Sequence, residues 1–353
     1  MPEADGARTG RSARFPAGHN APLYAALDLG TNNCRLLIAR PARDGFRVVD
    51  SFSRIVRLGE GLSRTGRLDP DAMDRACEAL RICADRIVRR GVPSARVRAV
   101  ATQACRTAEN GSAFLARVGA DTGLNLELIA PEQEARLSVQ GCLNLIDPAA
   151  RAVVIVDVGG GSTEVSWLKR VGGEDRRRFE TVSWMSAPLG VVTLAERHPE
   201  PSPPTTDWYE AMVEDVHARI RAHDGAAALR PVFEDGDAHL IGTSGAITSL
   251  AGVHLGLPRY DRNKVDGLWM THEECVRAAD RLKALGPAGR AAEACIGAER
   301  ADLVLAGAAI LEAIQRAWPC ARVRVADRGL REGLLLTAMR DARRNGPRRR
   351  RRR

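Results

Sequence analysis

The alternation of apolar and polar positions lays out one unit that begins again halfway along the chain. Apolar runs at Tyr24–Asp28, Cys34–Arg40 and Phe46–Phe52 predict three strands. A helix follows, with Asp69 as its N-cap and Pro70 at its first position. Met73, Ala76, Cys77, Leu80, Ala84 and Ile87 give it one apolar face, and Gly91 ends it. A strand at Val97–Ala101, a helix around Glu109–Val118, a strand at Leu126–Ile129 and a helix over Pro131–Ile146 complete a βββαβαβα order. The second half repeats it with insertions. Strands are expected at Val153–Asp157, Thr163–Leu168, Arg178–Trp184, before Ile241 and at Val323–Ala326. Helices are expected near Val191–Arg197, Thr206–Ala222, from Ser244, at His272–Leu285, at Asp302–Ala317 and from Leu330.

Each half opens on a strand, an acidic turn and a second strand. The turns read Asp28-Leu-Gly-Thr-Asn-Asn33 and Asp157-Val-Gly-Gly-Gly-Ser-Thr-Glu164. Gly30, Gly159, Gly160 and Gly161 carry no Cβ, so main-chain N–H groups can approach an anion and donate as a cluster. Thr31, Ser162 and Thr163 add hydroxyls, with Asn32 and Asn33 beside them. Two such turns facing each other could hold successive phosphates. Asp28, Asp157 and Glu164 would then supply hard oxygen ligands for Mg²⁺ or another divalent cation beside the phosphate oxygens. A single glycine-rich hairpin is usually plain turn geometry; its recurrence at the head of both halves favours phosphate binding.

Length and composition agree with this layout. A chain of 353 residues, 44% hydrophobic and 27% charged, is expected to form two soluble domains. No apolar run is long enough to cross a bilayer and residues 1–20 hold no apolar leader, so a cytoplasmic protein without membrane contact is expected. The eight cysteines include no C-x-x-C pair, which argues against a zinc or redox motif. The formal charge of +9 is misleading, because Arg343, Arg344 and Arg348 to Arg353 account for eight of it. Such a block reads first as a solvated tail, and as a tether for nucleic acid or another polyanion second. The expected organisation is a disordered lead over 1–20, domain I over 21–138, domain II over 139–342 and a disordered arginine tail over 343–353.

The duplicated unit resembles the actin, sugar kinase and Hsp70 superfamily, which implies an α/β fold of two RNase H-like domains with phosphate bound in the cleft between them. Glu134 lies in the first turn of the helix that leaves domain I, near that cleft. A glutamate there is either a favourable partner for the helix dipole or a general base for water attacking a phosphoanhydride. Gly242-Thr-Ser-Gly245 ends a strand at a helix N-terminus and suits an anion or a tight turn equally: Gly242, Thr243, Ser244 and Gly245 are candidates on that footing. Asp327 reads as an N-cap near Arg328 and Arg331 at the last helix.

More specifically, the chain resembles the exopolyphosphatase and guanosine pentaphosphate phosphohydrolase (Ppx/GppA) family over about residues 23–340. The motifs that carry it are Ala26-Leu-Asp-Leu-Gly-Thr-Asn32, Ala101-Thr-Gln-Ala-Cys-Arg106, Glu134-Ala-Arg-Leu137, Val156-Asp-Val-Gly-Gly-Gly-Ser-Thr-Glu164, Gly242-Thr-Ser-Gly245 and Asp327-Arg-Gly-Leu-Arg-Glu-Gly333. The resemblance implies that Glu134 is the catalytic base, that Asp157 and Glu164 help bind the metal and that Arg106 contacts phosphate. It implies an Mg²⁺-dependent hydrolase releasing orthophosphate from inorganic polyphosphate, with guanosine pentaphosphate as a second candidate substrate, and a homodimer. A non-catalytic polyphosphate or alarmone sensor of the stringent response, or an ATP-dependent kinase, fits these residues less well. Two departures stand out: Thr31-Asn-Asn-Cys34 replaces the common S-N-S, and the chain is expected to end without the helical C-terminal region of long members.

Overall fold

The computed structural model describes residues 21–43, 45–172 and 178–345. The expected lead, and the tail from 346 onward, lie outside them. Strands β1 (Tyr24–Leu29), β2 (Asn33–Ala42), β3 (Gly45–Ile55), β4 (Val97–Ala101) and β5 (Glu127–Leu128) form one sheet in the order β3-β2-β1-β4-β5. Strands β6 (Ala152–Val158), β7 (Thr163–Val171), β8 (Arg178–Ala187), β9 (Ala238–Thr243), β10 (Trp269–Thr271) and β11 (Arg322–Ala326) form the second, ordered β10-β11-β9-β6-β7-β8. Read from β3 and from β8, both sheets have the same sequence of neighbours: three antiparallel strands, then parallel additions to the first of them. β10 is the one strand of the second sheet without a counterpart, pairing antiparallel at the edge of β11. This is the duplicated RNase H-like α/β fold.

Local chemistry explains the elements. Asp69 caps its helix by accepting from the Asp71 and Ala72 N–H groups, and Pro70 stands where no donor is needed. The helix after β5 is shorter than expected, running Pro131–Cys142 before a 3₁₀ turn at Leu143–Leu145. An unforeseen short helix, Gln103–Thr107, follows β4 and carries Arg106. The His272–Ala292 helix bends at Gly286, whose φ of 62° breaks the helical run.

The expected domain boundary at 138/139 falls inside the Pro131–Cys142 helix, and the reason is packing. Leu137 belongs to the apolar cluster on the first sheet, with Ala26, Leu37 and Val100. Val139 and Cys142 belong to the cluster on the second, with Val153, Ile155 and Ile241. The closing helix, Leu330–Asn345, makes the reverse journey: Leu334, Leu335, Ala338 and Met339 pack against the first sheet. Arg343 and Arg344 are therefore residues of this helix rather than of a tail. Where the two helices cross, a Cβ on Gly141 would stand 2.1 Å from the Gly329 carbonyl oxygen, and one on Gly333 would stand 1.9 Å from that of Leu137. Only glycine allows backbones this close.

Candidate active site

The two acidic hairpins are built alike. Gly30 N–H donates to the Asn33 carbonyl at 2.9 Å, and Gly159 N–H to that of Ser162 at the same distance. The outward carbonyls of the turns are also taken. Thr31 and Asn32 accept from the Gly59 and Val56 amides, while Gly159 and Gly160 accept from Val191 and Val192. The amides of Thr31, Asn32, Gly160 and Gly161 donate to no protein group among the described residues. The turns interlock: a Cβ on Gly160 would lie 3.0 Å from the Asn32 amide, and one on Gly161 would lie 2.0 Å from Gln103 Oε1.

Both turns border one cavity of about 120 Å³, together with Asp28, Glu134 and Asp157. Gly30, Thr31, Asn32 and Asn33 line it from one side, and Gly159, Gly160, Gly161 and Ser162 from the other. Thr243, Ser244 and Gly245 reach it from the end of β9. Ser244 is also the N-cap of the Gly245–His254 helix, accepting from the Ala246 and Ile247 amides. Two expected phosphate contacts are absent from the wall. Thr163 gives its hydroxyl proton to the Leu189 carbonyl at 2.7 Å, and Gly242 packs against the Ile247 side chain.

Arg106 also stands off the wall. Its Nη1 donates to the Ile129 carbonyl at 2.7 Å and lies 3.5 Å from Glu134 Oε2, so it backs the glutamate rather than facing a ligand. Glu164 is a buried cross-strand neighbour of Asp157, held by the Ser186 hydroxyl at 2.7 Å. Asp157 accepts in turn from Ser138, on the crossing helix. Asp327 is not an N-cap. It pairs with Arg262 at 3.4 Å, while Glu332 reaches back to the Gly329 N–H at 2.9 Å to cap the closing helix.

Burial holds these carboxylates above their ordinary pKa values. Burial pushes Asp28 up to about 6, against the pull of Arg35 and Arg331. Burial likewise raises Asp157 and Glu164. Glu134 is raised well above the carboxylate range, first by burial and then by repulsion from Glu164, Asp157 and Asp28. Asp28 Oδ1 and Glu134 Oε2 are buried without a hydrogen-bond partner. Glu332 is the contrast: although buried, Arg331, Arg262 and the Gly329 amide hold it below its ordinary value.

Four arginines line the cavity, Arg35, Arg300, Arg331 and Arg328, the last paired with Asp266. Arg35 faces Asp28 across β1 and β2, at the register where Glu164 faces Asp157 across β6 and β7. Arg300 and Arg331 approach it, and burial together with Arg331 lowers the Arg35 pKa. Arg35 and Arg300 were not among the residues expected from sequence. Overlaying the two hairpins would have found Arg35. Arg300, in a 3₁₀ turn at Ala298–Arg300, carries no local signal.

A duplicated RNase H-like fold whose two glycine turns present free amides beside buried carboxylates and arginines defines a protein that handles phosphoryl groups. The chain belongs to the Ppx/GppA phosphatase family, whose sequence profile matches residues 37–342. Exopolyphosphatase 2 of Mycobacterium tuberculosis is 33% identical over 301 residues, covering 83% of this chain and 89% of that protein. The crystal structure of the Aquifex aeolicus family member is 29% identical, with a TM-score of 0.72 over 91% of this chain and 98% of that one. An exopolyphosphatase from Cytophaga hutchinsonii, 23% identical, shares the fold with a TM-score of 0.77 over 90% and 98% of the two chains. The protein is a phosphatase of the hydrolase class. Among the described residues, no helix is long and apolar enough to cross a membrane.

Proposed function

We propose that this phosphatase is a divalent-cation-dependent exopolyphosphatase, releasing terminal orthophosphate from inorganic polyphosphate. The observation that carries the reading is the pairing of a buried, high-pKa glutamate with free turn amides and a row of arginines in a single cavity.

The donor set fits a cation such as Mg²⁺. Asp28 and Asp157 open onto the cavity, and Asp28 Oδ1 has no partner. Among the described residues no three acidic, thiol or imidazole groups are close enough to hold an ion unaided. Mg²⁺ commonly takes one or two carboxylates and completes its shell with water and phosphate oxygens. When bound, it would offset charge on the phosphates and draw the carboxylate pKa values down.

Glu134 would take a proton from water attacking the terminal phosphorus in line. The P–O bond to the next phosphate breaks, and the shortened chain leaves as the anion. The amides of Thr31, Asn32, Gly160 and Gly161 would clasp the transferred phosphoryl group. Arg35, Arg300 and Arg331 would hold the remainder, and Arg106 would keep Glu134 aimed. Glu134→Gln keeps the shape but removes the base, so a rate loss on the order of 10²-fold or more is expected with polyphosphate binding retained. Phosphate release at the parent rate would remove Glu134 from the mechanism. Parallel assays with polyphosphate of defined length and with guanosine pentaphosphate would rank the two substrates.

A further inference from the structure

The cavity has two unlike ends. Glu134 and Gln103 border one, beside the interlocked turns. Arg35 and Arg300 converge on Gly245 at the other, their guanidinium groups 3.6 and 3.8 Å from where a Cβ there would stand. On the polyphosphatase reading, on which this inference rests, the severed phosphate is left at the Glu134 end while the shortened chain is still gripped at the arginine end. The product is then boxed in behind its own substrate.

A second cavity of about 550 Å³ lies beyond the same wall. Thr31 and Gln103 border both spaces. One hydrogen bond joins them, from Thr31 Oγ1 to Gln103 Oε1 at 3.0 Å. Gly161 closes the gap, with no room for a side chain between it and Gln103. The partition is thus shared by the Thr31 and Gln103 side chains, and the latter is an unbranched amide able to change rotamer without domain movement.

The second space holds one arginine that no carboxylate pairs among the described residues. Arg64 and Arg197 border it against one acid, Glu196. That carboxylate is already occupied, accepting from the Gly61 N–H at 2.8 Å and the Ser63 hydroxyl at 2.6 Å. Arg197 is shared with Asp215 at 3.1 Å, whereas Arg64 has no ion-pair partner among the described residues. The hydroxyls of Thr107 and Thr193 lie on the same wall.

We infer that this second cavity is the exit for orthophosphate, and that Gln103, swinging away from Thr31, is the gate that lets it leave while the shortened polyphosphate stays bound.

The test uses the full chain with Mg²⁺, in excess over a polyphosphate of defined length. Acid quenching counts phosphate cleaved, and a fluorescent phosphate sensor counts phosphate free in solution. The interval between the two is the release time. Thr107 is exposed, so Thr107→Trp adds bulk to the second cavity at the cost of one hydroxyl contact to the Gln103 carbonyl. A first cleavage at the parent rate is expected, with release of that phosphate delayed ~10-fold or more and the later cleavages slowed along with it. Arg64→Glu adds no bulk but reverses the charge, and should delay release in the same direction by roughly 3-fold. If Thr107→Trp does not fold, Arg64→Glu decides alone. Release that keeps pace with cleavage in the folded variants overturns the exit. No cleavage by the parent protein would instead sink the polyphosphatase reading, and the exit with it.

Discussion

Asp28 and Arg35 occupy one hairpin as Asp157 and Glu164 occupy the other, so the duplicated turns present unequal charge to a shared space. The first is balanced and the second doubly acidic, and Asp28 feels the Asp157 and Glu332 carboxylates as well as its own Arg35. Its ordinary value of 3.8 rises to about 6 on folding, chiefly through burial. The folded chain therefore holds a proton that the unfolded chain releases. This contribution to stability is full below about pH 4 and is lost as pH rises through 6, to the extent of on the order of 3 kcal/mol. Asp28→Asn removes the penalty, so the variant should match the parent in metal-free Tm at about pH 3.5 and exceed it at about pH 8. A stability difference that is the same at both pH values would contradict the assignment. At this scale the sequence was only partly legible. Glu134, Asp28 and Asp157 stand in short motifs whose turns dictate their place. Arg106 and Thr163 stand in equally suggestive motifs, yet the Ile129 and Leu189 carbonyls capture them. A motif names a side chain's neighbourhood but not which way the side chain turns.

Among the elements, the crossing of the Pro131–Cys142 and Leu330–Asn345 helices does most to fix the site. Ser138, one residue from Leu137 at the crossing, holds Asp157, so a shift between the helices moves a cavity carboxylate directly. Gly333→Ala would drive a methyl against the Leu137 carbonyl. A loss of about 1–3 kcal/mol is expected, seen as a lowered Tm, with cation affinity falling alongside as Asp157 is displaced. An unchanged Tm would mean the helices can part without cost. The strands were readable because alternation and acidic turns are local signals. The crossing was not, because an apolar helix face records that it is covered without recording by which sheet. β10 escaped for a related reason: three residues paired only to β11 carry too little periodicity.

Across the whole molecule, the two lobes touch at several separate places. The helices cross at Gly141 and Gly333, the turns interlock at Gly160, and Glu196 bonds to Gly61 and Ser63. Arg57 joins this set by reaching the Glu299 carbonyl and the Asp302 carboxylate, at 3.1 and 2.9 Å. The repeated order of elements made the two-lobed architecture legible from sequence, whereas the hydrogen-bonded bridges depend on residues 133 to 245 positions apart. A fragment ending at residue 142 should accordingly bind a dye specific for exposed apolar surface and aggregate, and adding a peptide of residues 330–345 should suppress both. A fragment that stays monomeric and dye-silent alone would show the first lobe to be self-sufficient.

The exchange of helices also sets a timetable for biosynthesis. The first sheet leaves the ribosome early, but the helix that covers Ala26, Leu37 and Val100 follows only after every strand of the second sheet. The lobe built on that sheet must wait, one flank bare, until the second sheet has been made, and so vectorial synthesis cannot finish it ahead of its partner.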